Sequence, residues 1–244
     1  MATSSEASPA IRASLGVGLA VSAYGISFGA LAVASGLDIW QTCVLSLLMF
    51  TGGSQFAFAG VVGAGGIAAA PAAIASASLL GVRNVAYGIR MSPVIGPGFV
   101  RRTAAAHFTI DESTAVSLAQ RSPHARTVGF WVTGVGIYIG WNLSTLAGAL
   151  LGDVLGDPRA YGLDAAAAAA FLALLWPRLR NRQPIAVGIA AAVVATMLTP
   201  VLMPGLPVII AAVVALIVGW TNWLASPDEA AGEPDDVAER EGLP

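Results

Sequence analysis

Lysine is absent from this chain, and all twelve of its basic residues are arginine. There is a single cysteine, Cys43, and only 11% of residues are charged. Between Ala13 and Val82 the one charged side chain is Asp38, and from Gln183 to Pro227 there is none. Each shortage excludes something. A lone cysteine rules out an intramolecular disulfide and any multi-cysteine metal site. Without lysine no Gly-x-x-x-x-Gly-Lys phosphate loop can be built, so ATP-driven work would need a separate ATPase. The uncharged runs rule out a water-solvated surface. Lipid must solvate them instead, and lipid admits only helices or closed barrels.

What remains is apolar. The hydrophobic fraction is 56% and the mean hydropathy +0.76, values of the membrane class. The net charge of −2 conceals an asymmetry, because residues 228–244 hold seven acids against Arg240, leaving residues 1–227 at +4 (eleven arginines, seven acids). Nothing resembles a nucleic-acid footprint. The first residues (MATSSEASPAI) lack a basic n-region, so the run after them reads as a retained span.

Seven hydrophobic segments can be marked at 13–36, 39–64, 68–91, 127–152, 161–177, 185–203 and 206–224. Period-2 alternation is missing, so the expected fold is all-α, a polytopic transmembrane helix bundle. Residues 1–12 form a short N-terminal tail, 13–224 the membrane domain with a polar connection at 92–126, and 225–244 an acidic tail expected to be disordered. Arginines at 90, 101, 102, 121 and 126, and at 178, 180 and 182, place the connection and the C-terminal tail in the cytoplasm by the positive-inside rule. Seven full crossings put the N-terminus outside; a re-entrant second segment would put it inside with Arg12. Opposite orientation of the spans before and after the connection permits an inverted repeat.

Small residues recur at steps of four and three in segment one (Gly18, Ser22, Gly25, Gly29, Ala32, Gly36) and segment four (Gly134, Tyr138, Trp141, Thr145, Gly148, Gly152). Six alanines fill 165–170. Such stripes let helix backbones approach closely in lipid, and packing is their reading.

The polar residues inside the spans carry the functional argument. Gly52-Gly53-Ser54-Gln55 interrupts segment two, either as a broken helix with backbone free to grip a ligand or as a glycine kink. Arg83 lies ~10 Å deeper than Arg90 at ~1.5 Å per residue. It either snorkels or serves a carboxylate, which its bidentate fork suits. Asn142, beside Trp141, is interhelical glue or pore lining. Asp164 caps segment five or titrates as a proton carrier. Thr109-x-x-Glu112 fits a capping box, with Asp111 in the same first turn. His107 and His124 lack metal-ligand partners at useful spacing. Ser54 has no histidine within any span, and no aspartate pair lies inside one, which argues against an intramembrane enzyme. No cofactor or metal is implied.

Five pieces occur in order: Phe50 to Phe56; Gly81-Val82-Arg83-Asn84 through Tyr87; His107 to Glu112; Trp141-Asn142; and Gly162-Leu163-Asp164 through Phe171. Together they resemble the AzlC family, the large subunit of bacterial branched-chain amino acid exporters. The chain departs from the pattern at Gly81 and Asn84, where asparagine and histidine are expected. The resemblance implies proton-driven efflux of leucine, isoleucine, valine and often methionine across the bacterial plasma membrane. It also implies a small AzlD-type partner of four helices. On this reading Gly52, Gly53, Ser54, Gln55, Arg83, Asn84, Trp141 and Asn142 bind substrate, and Asp164, Asp111 and Glu112 are the proton-coupling candidates. The alternative is a passive channel or facilitator for a small polar solute.

Overall fold

In the computed structural model, residues 2–155, 172, 175–176, 179, 182–202 and 206–221 are described. Among them every regular element is helical, and the chain is an all-α membrane bundle. It divides into two compact units, residues 1–169 and 170–244. The first contains α1 (Ala2–Ala34), α2 (Ile39–Leu48), α3 (Gly52–Gly65), α4 (Ala70–Gly81), α5 (Arg83–Ile95), α6 (Phe99–His107), α7 (Asp111–Leu118) and α8 (Pro123–Leu155). The second contains α9 (Arg182–Leu198) and α10 (Leu206–Thr221), which pack on each other. Segment five, with Asp164 and the alanine run, and the acidic tail lie outside the described residues apart from isolated positions.

Three stretches are long and apolar enough to cross a membrane: Ala7–Ala34, Ile67–Ile95 (α4 with α5) and Pro123–Val154. Apolar side chains such as Leu19, Trp40, Ile67 and Phe99 are exposed, as lipid contact requires. The two small-residue stripes meet. Gly25 faces the Trp141 carbonyl and Ser144, Gly29 faces Thr145, and Gly148 faces the Ile26 backbone. At the start of the seam Thr133 Oγ1 donates to Ser14 Oγ at 2.8 Å. At its end Gly152 lies against Ala30. Contacts advance together along both helices, so α1 and α8 run parallel. Two members of the stripes do other work. Gly134 faces Phe108, and Gly36, at φ +92°, turns the chain from α1 into α2, a conformation glycine adopts without strain.

Segment two does not cross. α2 leaves the far end of α1, the chain breaks at residues 49–51, and α3 returns until Gly63 touches Ser35. Leu37 packs on Val61, Val62, Ala69 and Ala73 at that same end. The preference for a full crossing, which put the N-terminus opposite the start of α8, is therefore corrected: both ends of this hairpin share one side. The N-terminus of α1 and the start of α8 share the other. Asp38 explains its own isolation. It is the N-cap of α2, its carboxylate accepting from Gln41 N at 2.7 Å while Gln41 Oε1 accepts from Asp38 N at 3.0 Å. Asp38→Ala should lower stability by about 1 kcal/mol, read as a reduced thermal midpoint that Asp38→Ser restores.

The connection 92–126 is likewise built differently from an open polar segment. α4 and α5 descend antiparallel to α8, from the Val61–Ala73 cluster to Met91 and Ile95 against Phe130. α6 then rises from that end, the chain breaks at 108–110, and α7 descends until Ser117 Oγ donates to the Arg126 carbonyl at 2.9 Å. It is a second hairpin, entering from the side opposite the first. Within residues 1–155, two units of one crossing plus one hairpin run in opposite directions. Enough side chains of α7 (Ser113, Thr114, Val116, Ser117) are buried to hold it among the other helices.

Candidate functional site

Both hairpin tips stop at the midpoint of α8. Tyr138 marks the place: its ring lies 5.1 Å from Phe50 of the first tip and 5.4 Å from Phe108 of the second. His107 joins them, 5.2 Å from Tyr138 and 6.0 Å from Phe50.

The first break comes one turn earlier than Gly52–Gln55. Met49 leaves helical geometry (φ −104°, ψ 66°), Thr51 is extended, and Thr51 N bonds back to the Met49 carbonyl at 2.7 Å. Gly52–Gln55 are instead the first turn of α3. The reason lies in the orphaned carbonyls at the end of α2, which have no water to turn to. Gln55 Nε2 donates to the Met49 carbonyl at 2.7 Å and to that of Ser46 at 3.4 Å. Tyr138 OH donates to the Leu47 carbonyl at 3.4 Å. Gln55 Oε1 in turn accepts from Trp141 Nε1 at 2.9 Å, both side chains fully buried. The amide of Gln55 and the indole N–H of Trp141 are thus committed to holding the break.

The two glycines keep the first turn of α3 open. A Cβ on Gly52 would sit 3.3 Å from the Trp141 ring, and one on Gly53 would sit 3.3 Å from Arg83 Nη2. The guanidinium therefore lies over amides that, at a helix start, have no carbonyl partner. Arg83 Nη1 pairs with Asp111 Oδ2 at 3.5 Å, each side chain about one-third exposed. The pair ties α5 to the second hairpin, since Asp111 is the first residue of α7, while Gly53 brings the first hairpin against the same guanidinium. Among the described residues none supplies a hydrogen-bond partner to Arg83 Nε, Asn84 Oδ1, Asn142 Oδ1 or Ser54 Oγ, all buried. Asn142 Nδ2 is occupied by the Tyr138 carbonyl at 2.7 Å. Ser54 faces Gly81.

The capping box expected from Thr109 and Glu112 does not form. Thr109 Oγ1 donates to the Ala105 carbonyl, and α7 begins one residue later, with Ile110 N donating to Ser113 Oγ at 3.1 Å. Glu112 is left free of capping.

Of the residues singled out from sequence, Gly52, Gly53, Ser54, Gln55, Arg83, Asp111, Glu112 and Trp141 are gathered around the first turns of α3 and α7. Asn84 follows Arg83 on α5, and Asn142 follows Trp141 on α8. Asp164 lies outside the described residues. Tyr138, His107 and Phe108 were not among the site residues expected from sequence. The one available signal was that Tyr138 and Trp141 share a stripe otherwise made of small residues; the second break has no glycine to announce it.

A family model described as AzlC protein matches residues 16–155. This span ends before the Gly162-Leu163-Asp164 motif. No curated protein and no solved structure matches the chain.

Proposed function

The chain belongs to the AzlC family, and on that premise we propose that it is a secondary transporter exporting branched-chain amino acids, with methionine a further substrate. Family membership itself fits a membrane transporter rather than an enzyme. The observation that carries the finer reading is the meeting of two oppositely inserted half-helix pairs at mid-height, with Arg83 of α5 paired to Asp111 at the second tip and lying against Gly53 at the first. Broken helices meeting at the midplane are the arrangement in which transporters bind small charged substrates. Each tip is approached from one side only, so withdrawal of one or the other opens the site alternately. Gln55 and Trp141 position the first tip, while the amides of Gly52, Gly53 and Ser54, with Arg83, Asn84 and Asn142, face the substrate.

Glu112 is the proton carrier in this reading. It follows Asp111 in the first turn of α7, beside the ion pair with Arg83. Export should therefore change with pH and be dissipated by uncouplers. Glu112→Gln should flatten that pH profile and leave only downhill exchange.

The N-terminus and the arginines at the start of α6 and around the start of α8 (Arg101, Arg102, Arg121 and Arg126) face the cytoplasm of a bacterial cell, as does the C-terminal tail, and a small AzlD-type subunit completes the exporter. Reconstitution of the protein with that subunit is the test. Uptake or release of labelled leucine, isoleucine, valine or methionine by proteoliposomes supports the reading, and failure to move any of them ends it.

A further inference from the structure

Arg83 and Asp111 are paired loosely. Their 3.5 Å separation exceeds the ~2.7–2.9 Å of a strong charge-assisted bond. Each partner also sits beside unspent groups of its own sign. On the cationic side are the guanidinium Nε, the opening amides of the fourteen-residue helix α3, and Ser54 Oγ, whose side chain is 1% exposed and has no partner among the described residues. On the anionic side is the carboxyl of Glu112, the residue after Asp111 in the first turn of α7. Gly53, having no side chain, leaves the guanidinium within reach of the α3 amides. The pair therefore separates two poles, one rich in donors and one rich in acceptors.

We infer that the Arg83–Asp111 pair is exchanged for the substrate: a free α-amino acid inserts between them, its carboxylate on Arg83 and the α3 amides, its ammonium on Asp111. This rests on amino-acid export being the activity. A zwitterion replaces both halves of the broken pair, so neither charge is stranded. A ligand with one charge restores only half and leaves the other partner unpaired in a poorly hydrated site. The recognised class is thus the zwitterion itself, with the apolar side chain secondary.

The experiment is competition against labelled leucine on the protein purified together with its small subunit in lipid nanodiscs. Unlabelled leucine should compete, while leucinamide, which lacks the carboxylate, and 4-methylpentanoate, which lacks the ammonium, should be about tenfold or more weaker. Either analogue competing as well as leucine overturns the inference and leaves amino-acid export standing. Binding by no zwitterionic amino acid overturns both. Asp111→Asn supplies a signature that misfolding cannot imitate. By releasing Arg83 it should improve 4-methylpentanoate relative to leucine by about tenfold, and an unchanged ratio overturns the inference.

Discussion

Gln55→Leu is expected to lower stability by about 2–5 kcal/mol and to abolish transport. Two strong bonds are lost at once. The Trp141 indole N–H loses its 2.9 Å acceptor and is left buried without a partner, at about 1–3 kcal/mol, while the Met49 carbonyl loses its 2.7 Å side-chain donor and keeps only Thr51 N, at about 0.5–1.5 kcal/mol. Leucine fills much of the volume, so the loss reports polar satisfaction and not a cavity. Gln55→Glu should fare no better, because its carboxylate still accepts from Trp141 but meets the Met49 carbonyl acceptor to acceptor. Thermal unfolding of the purified protein is the measurement. Trp141→Phe removes the orphaned donor itself, so the double variant should lose less than the sum of the singles. Strict additivity would show that the two side chains do not share a bond.

Gly29→Ala and Gly148→Ala should each cost about 3 kcal/mol, the upper part of the range for overpacking. A Cβ at Gly29 would meet the Thr145 carbonyl, and one at Gly148 the Ile26 backbone. Backbone cannot rotate away as a side chain can, so α1 and α8 must separate along the whole parallel seam. Gly16 and Gly136 sit on the same two helices with nothing within 4 Å of an added Cβ. Alanine there should be neutral or gain up to about 1 kcal/mol, since it loses less freedom than glycine in a helix. Equal effects at all four positions would mean that the stripes are not the contact surface.

The small-residue stripes were legible because their steps of four and three are local geometry, fixed by the helix repeat. That they face each other, and in parallel, was not, since no spacing within one helix reports its neighbour's direction. Arg83 stood out by its depth alone. Its partner did not: Asp111 is 28 residues away in sequence and looked like part of a cap. The first break was visible through Gly52-Gly53 but misplaced by a turn. Glycines mark where side chains must be absent, and here they clear room over the restarting helix, whereas the chain bends at Met49–Thr51.

Composition and hydropathy alone settled that the chain is a bundle of membrane helices with a handful of polar residues inside it, because the cost of stranding charge and backbone in lipid acts residue by residue. Only the folded structure decided that segment two turns back and that residues 99–118 form its counterpart from the other side. An apolar run of some two dozen residues satisfies lipid equally well as one full crossing or as two half-length helices. What selects between them is whether side chains reach the carbonyls left bare at the bend, here Tyr138 and a Gln55 held in place by Trp141.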